Sequence, residues 1–299
     1  MNRLAFPLLL VLASTPAWAA DSAKEQEECL GCHGDPKVDP GDLKGGEKLP
    51  LFVDKELFAR SVHGQQGLTC TDCHQGKKPD HATGEALPFT RRELSRDHAK
   101  VCASCHEEVA TVFAKSVHGR QLEATGDGPA CTDCHGVHTI TRPSENELVL
   151  RTPDVCGKCH TNETLMKKYG ISTRVVRTYL ADFHGMATTL SRGGKKGEKG
   201  EKVRLAAGCT DCHGYHDIQR TDDPSSRVIA ANLQKTCQRC HTGATANFPA
   251  AWLSHWEPTP EKAPLVWGVT LFYKLLIPFM VGGLGLQIVL HLWRTLVNR

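Results

Sequence analysis

The sequence predicts a mainly α-helical domain with extensive loops, followed by one membrane-spanning helix at its C-terminal end. Three observations lead there. Strand-like alternation of apolar and polar residues is scarce throughout. Aromatic residues make up only 6% of the 299 and long apolar periodic runs are missing before residue 264, so side chains alone cannot build a conventional core on this spacing. The last stretch, Leu265 to Trp293, is by contrast mostly apolar, broken by Lys274, Gln287 and His291.

A pentad explains what fills the domain instead. Cys131-Thr-Asp-Cys134-His135 recurs as Cys29–Cys32–His33, Cys70–Cys73–His74, Cys102–Cys105–His106, Cys156–Cys159–His160, Cys209–Cys212–His213 and Cys237–Cys240–His241. Two thiols two residues apart with histidine immediately after is the attachment pattern of c-type haem. The thiols add to the two porphyrin vinyl groups, and the histidine reaches the iron as proximal ligand. Seven motifs consume all fourteen cysteines. Zinc sites need no histidine directly after each second cysteine, and disulfides leave the seven histidines unexplained. The expected cofactors are therefore seven covalently bound haems c, stacked as the core of a multihaem fold.

The chain opens with Asn2-Arg3, an apolar run from Leu4 to Leu12 and Ala17-Trp-Ala19, which predicts a signal peptide over 1–19. Residues 20–60 form an N-terminal single-haem segment. A two-haem repeat then occurs three times, as A over 61–115, B over 116–182 and C over 183–263, ahead of an anchor with a short tail over 264–299. Ser61-Val-His63-Gly, Ser116-Val-His118-Gly and Asp182-Phe-His184-Gly mark the three units, each followed by Cys-Thr-Asp-Cys-His. In unit C, residues 192–202 read as an exposed, flexible insertion.

Nine histidines remain beyond the proximal seven. His63, His118, His184 and His255 each end a stretch of helical character, and glycine after three of them reads as a helix stop. His81, His138 and His216 follow the Cys-Thr-Asp-Cys-His motifs. Four and three make seven, one distal ligand per haem, which predicts six-coordinate bis-histidine iron. His98 competes with His81 for its role, and His291 lies within the anchor.

Leu275 to Trp293 makes roughly 28 Å of helix, close to the hydrocarbon thickness. Trp267, Tyr273 and Lys274 fit the outer interface, Trp293 the inner one, and Arg294 and Arg299 place the C-terminus in the cytoplasm. The formal charge of +3 omits the haem propionates and implies no nucleic-acid partner. Serine-hydrolase triads, phosphate-binding glycine loops and dinucleotide fingerprints are absent from the sequence.

Over residues 29 to 255 the motifs resemble those of the membrane-associated multihaem cytochromes c of bacterial anaerobic respiration, the cytochrome c3-like and related families. The resemblance implies an electron-transfer protein rather than a substrate-converting enzyme, held at the periplasmic face of the inner membrane. Its expected partners are an integral-membrane quinone-reactive or cytochrome b protein and periplasmic redox proteins. The other class of function is a multihaem reductase of a small nitrogen or sulfur compound, which needs one iron with an open coordination position.

Overall fold

The computed structural model describes residues 17–77, 87–142, 145–193, 207–251 and 255–298. These residues are mostly helical, as expected. Unit A consists of α2 (Lys55–Arg60), α3 (Val62–Gln65), α4 (Cys70–Cys73) and α5 (Arg91–Cys105), after α1 (Ala17–His33). Unit B repeats the order as α6 (Glu107–Ala114), α7 (Val117–Thr125), α8 (Cys131–His135) and α9 (Glu145–His160). A short α10 (Glu163–Lys168) intervenes before unit C, formed by α11 (Val175–Leu180), α12 (Phe183–Gly193), α13 (Cys209–His213) and α14 (Ala230–Gln238). The chain ends on α15 (Pro264–Val297). The strand content of the described residues is one antiparallel ribbon, β1 (Gly41–Asp42) with β2 (Lys48–Leu49), and a single parallel bridge between Leu43 and Leu87.

The helix pair that opens each unit has a local cause. Ser61 and Ser116 are extended, with ψ of 159° and 165°, so α2 and α6 stop there and α3 and α7 start anew. Each serine hydroxyl then accepts the N–H of the glycine three residues on, at 3.0 Å, as an N-cap. Asp182 caps Gly185 the same way at 2.9 Å. The sequence predicted one helix ending at the histidine with glycine as its stop; the break in fact comes before the histidine. Glycine is present for a different reason. A Cβ on Gly64, Gly119 or Gly185 would lie 2.2, 2.0 or 1.9 Å from the carbonyl oxygen of Phe58, Phe113 or Tyr179, respectively. Only a residue without a side chain lets the second helix fold back this closely.

The units are joined by a repeated hydrogen bond. Val62 N–H donates to the Ile140 carbonyl at 2.8 Å, and Val117 N–H donates to the Ile218 carbonyl at 2.8 Å. Units B and C thus each offer their His-x-Ile segment to the helix start of the unit before. Gln219 extends the second joint, donating to the Lys115 carbonyl at 3.1 Å and accepting from Arg120 at 2.9 Å.

The polypeptide's own core is small. Leu43, Leu122, Ala130, Val149, Leu150, Met166, Tyr179 and Ala244 are its buried hydrophobic residues among those described. In α15 no described side chain is buried. It is the one helix among the described residues long and apolar enough to cross a membrane. Its 34 residues span about 51 Å, well beyond the predicted Leu275–Trp293 stretch.

Candidate haem sites

The seven motifs fall into two structural classes. Cys29, Cys102, Cys156 and Cys237 lie in the last turns of longer helices, α1, α5, α9 and α14. Cys70, Cys131 and Cys209 instead open four- or five-residue helices of their own. The difference is written in one residue. Only the second class carries aspartate between its cysteines, and that carboxylate turns back to the N-cap amide. Asp72 accepts from Thr69 at 2.6 Å, Asp133 from Ala130 at 2.6 Å and Asp211 from Gly208 at 2.8 Å. A motif riding on an existing helix has no new N-terminus to satisfy.

Long and short motif helices pack in pairs: α1 with α4, α5 with α8, α9 with α13. In each pair the first cysteines face each other. Burial, then Cys29, raises the Cys70 thiol to about 11. The bond between Cys102 and Cys131 raises the first and lowers the second to about 7, and Cys156 and Cys209 divide in the same direction. Between pairs the electrostatic neighbours continue the order. Cys73 is raised by burial, by Asp72 and then by Cys105. Cys134, raised to about 11 by burial and Asp133, also feels Cys159, and Cys212, raised to about 11 by burial and Asp211, feels Cys237. The motifs therefore follow one another in space in the order of the sequence.

A proline inside α9 helps seat the third pair. Pro153 lies inside α9 and has no N–H for the Val149 carbonyl. The Thr152 hydroxyl donates to that carbonyl at 2.7 Å and accepts the Cys209 N–H at 3.2 Å, which ties α9 to the start of α13. Gly208 fits there because a Cβ would stand 2.5 Å from a Val149 methyl.

The histidines come in twos. Ring centroids are 6.1 Å apart for His63–His106, 6.1 Å for His74–His138, 6.2 Å for His118–His160 and 5.9 Å for His135–His216. They are 6.3 Å apart for His184–His241 and 6.2 Å for His213–His255. Metal–imidazole bonds of about 2 Å put the centroids of two trans ligands roughly 6.3 Å apart. Two imidazoles at that separation suit an iron already held by four porphyrin nitrogens. Six of the seven histidines expected as distal ligands lie beside the histidine of a Cys-x-x-Cys-His motif; His81 lies outside the described residues.

The pairs have a rule that the sequence did not reveal. His63, His118 and His184 face the closing motif of their own unit. His138 and His216 reach back to the Cys-Thr-Asp-Cys-His motif of the preceding unit, and His255 does this for unit C. His98 also touches His74, but edge-on at 5.4 Å and 90°, nearer than the six pairs. The Nδ1–H of His33 donates to the Leu51 carbonyl at 2.9 Å, an orientation that leaves Nε2 for a metal.

Burial favours the neutral form, the one that ligates a metal, at His74, His118, His135 and His213. His118 is lowered to about 4 by burial and then by His160, and His213 to about 4 by burial and then by His255. His74 reaches about 4 through burial, His98 and His138. Burial, followed by His216, lowers His135 as well.

The Cytochrome c3 family model matches residues 62–161, that is, from the Val62-His63 pair of unit A to the closing motif of unit B. Cytochrome c-552 of Desulfotalea psychrophila is 24% identical over 216 residues, covering 70% of this chain and 40% of that protein. The cytochrome c-type protein NrfB of Escherichia coli is 24% identical over 166 residues, or 51% of this chain and 78% of its own length. The chain is a distant homologue of multihaem cytochromes c. No solved structure matches it significantly. This homology supports a general redox and electron-transfer role and a capacity for haem c. The chain spans less than half the length of the cytochrome c-552 that it matches.

Proposed function

We propose that this protein is a heptahaem cytochrome c that conducts electrons along a single file of haems, anchored by α15 to the periplasmic face of the inner membrane. The observation that carries the proposal is the set of six histidine pairs at trans-axial spacing, each tied to a motif whose neighbours in sequence are its neighbours in space. Bound haem supplies the one-electron iron couple. The polypeptide supplies spacing, orientation and closure of both axial positions.

A reductase needs an iron with an open position, and each of the six histidine pairs leaves none. Bis-histidine ligation also favours lower potentials than Met/His ligation, which suits a quinol-linked donor in anaerobic respiration. In quinol-oxidising cytochromes of the NapC/NirT type the single membrane helix is N-terminal; here it is C-terminal. We therefore assign quinol handling to a separate integral-membrane protein, quinone-reactive or of cytochrome b type. Periplasmic redox proteins take up the electrons.

The intact mass of the purified protein should exceed the processed polypeptide by seven haems that resist acid–acetone extraction. The oxidised spectrum should be low-spin throughout. Fewer haems after full maturation, or a stoichiometric high-spin iron that turns over nitrite or hydroxylamine, overturns the proposal.

A further inference from the structure

The haem domain and the anchor are joined by a short segment that starts on an expected iron ligand. His255 stands beside His213, with 6.2 Å between ring centroids, and α15 begins nine residues later at Pro264. Nine residues reach at most about 32 Å when fully extended. This segment is not extended. Its Glu257 carboxylate pairs with Arg174 and Arg177 at the start of α11, a helix that packs on α9 and α12. Beyond it, the Lys262 ammonium lies 3.2 Å from the centre of the Trp256 ring. The Thr259 hydroxyl accepts the Lys262 N–H at 3.2 Å, and the Thr259 carbonyl accepts the Ala263 N–H at 2.9 Å. The chain therefore turns between the ligand and the helix, and the reach is much shorter than the limit.

The motif that His255 serves is well placed to pass electrons on. Cys209 is bonded to Cys156 of the motif before, and Cys212 feels Cys237 of the motif after. From the His213–His255 pair the order of motifs leads back through unit B to unit A. On the other side of the tether, Pro264 to Lys274 adds about 15 Å of helix before the stretch expected to span the bilayer. A protein embedded in the same bilayer can reach only what stays near the membrane surface. The short, folded tether holds the His213–His255 pair there.

We propose that electrons from the membrane enter the file at the iron held by His213 and His255, and that segment 255–262 faces the integral-membrane protein that oxidises quinol. The inference rests on the haem-file proposal and specifies where the file meets its membrane partner. The partner oxidises one quinol to quinone, losing two electrons and releasing two protons to water. Each electron reduces one ferric iron to ferrous, one at a time, so this chain handles no proton in the exchange. Electron transfer falls steeply with distance, which is why the iron nearest the anchor is the one that the partner reduces.

The test replaces Trp256 with the photo-crosslinking residue p-benzoylphenylalanine in the full-length protein, expressed in its native host. The same replacement at Lys37, exposed beside the first motif, is the control. Irradiation at position 256 should give an adduct to an integral-membrane protein, and position 37 should give none. An adduct to lipid alone or to a soluble protein at 256, no adduct, or an equal yield at 37 overturns the proposal. Twenty Gly/Ser residues inserted between Lys262 and Ala263 should slow reduction by a quinol analogue in membranes at least tenfold; an unchanged rate also overturns it. C209A/C212A removes the haem at His213. Quinol should then reduce none of the six remaining haems at the wild-type rate, while dithionite reduces all six. Rapid reduction of five places the entry at unit A, and of one at the last motif, and either result refutes the assignment. The crosslink is read on the full haem complement, so it decides the matter even where C209A/C212A does not mature. Wild-type protein short of seven haems, or not reduced by quinol in membranes, counts against the haem-file reading itself; full loading and reduction with a failed crosslink count against the entry point alone.

Discussion

A single added methyl tests why each paired histidine sits where it does. G119A would drive a Cβ to within 2.0 Å of the Phe113 carbonyl oxygen, so α6 and α7 must separate and His118 must move with them. Overpacking of this kind costs about 1–3 kcal/mol, and thermal unfolding of the haem-loaded protein should show it together with a partial high-spin signal. G31A is the control, since a Cβ there meets nothing within 4 Å; its stability should change by less than about 1 kcal/mol, in the favourable direction. Removing histidines tests the pairing itself. H118A should open the iron held by His160, in the same unit, and H216A the iron held by His135, in the unit before. Site-resolved NMR or haem-peptide mapping of cyanide adducts would distinguish these two irons.

At the scale of the helix, the informative residue is the aspartate inside three of the motifs. D133A removes the carboxylate that accepts the Ala130 N–H and also the partner of Arg92 at 2.7 Å. Loss of a cap costs about 1 kcal/mol. The ion pair adds little, since both side chains are more than a third exposed or close to it and solvent screens them. Denaturant unfolding should therefore place D133A only slightly below D72A, whose aspartate makes the cap without that arginine. The aspartate can be read directly from the sequence as a helix-start signal, because it recurs in motifs that need a new N-terminus and is missing from those that do not. The helix break at Ser61 and Ser116 is legible in the same way, through serine three residues before glycine. What hides it is that glycine there serves a close approach between two helices, and a close approach has no signature in a local pattern.

For the molecule as a whole, the anchor and the file of motifs make separable predictions. Ending the chain at Ala263, just before α15, should release a soluble domain that keeps all its haems and is reduced by dithionite. The same truncation should abolish reduction by a quinol analogue in membranes. If the soluble domain accepts electrons from quinol as fast as the membrane form, no membrane partner is needed. The prediction follows from the separation seen in the fold: α15 buries none of its described side chains against the haem domain, so removing it exposes no core.

Much about this protein is contained in its sequence because the chemistry concerned is local. Covalent attachment requires two thiols and a histidine within five residues, so the number and position of the motifs could be read without a fold, and an apolar run of bilayer length identifies α15 just as directly. Recurrence at matching repeat positions is enough to mark these histidines as a set. Their partners were not legible. His74 and His138 lie about one unit apart in the sequence, and so do His135 and His216; what brings each pair together is the docking of one unit's His-x-Ile segment on the helix start of the unit before. That contact is made by backbone groups, Val62 with Ile140 and Val117 with Ile218, which any sequence carries at every position. Only the tertiary structure decides which of them meet, because a main-chain hydrogen bond between distant segments is selected by packing and not by residue type.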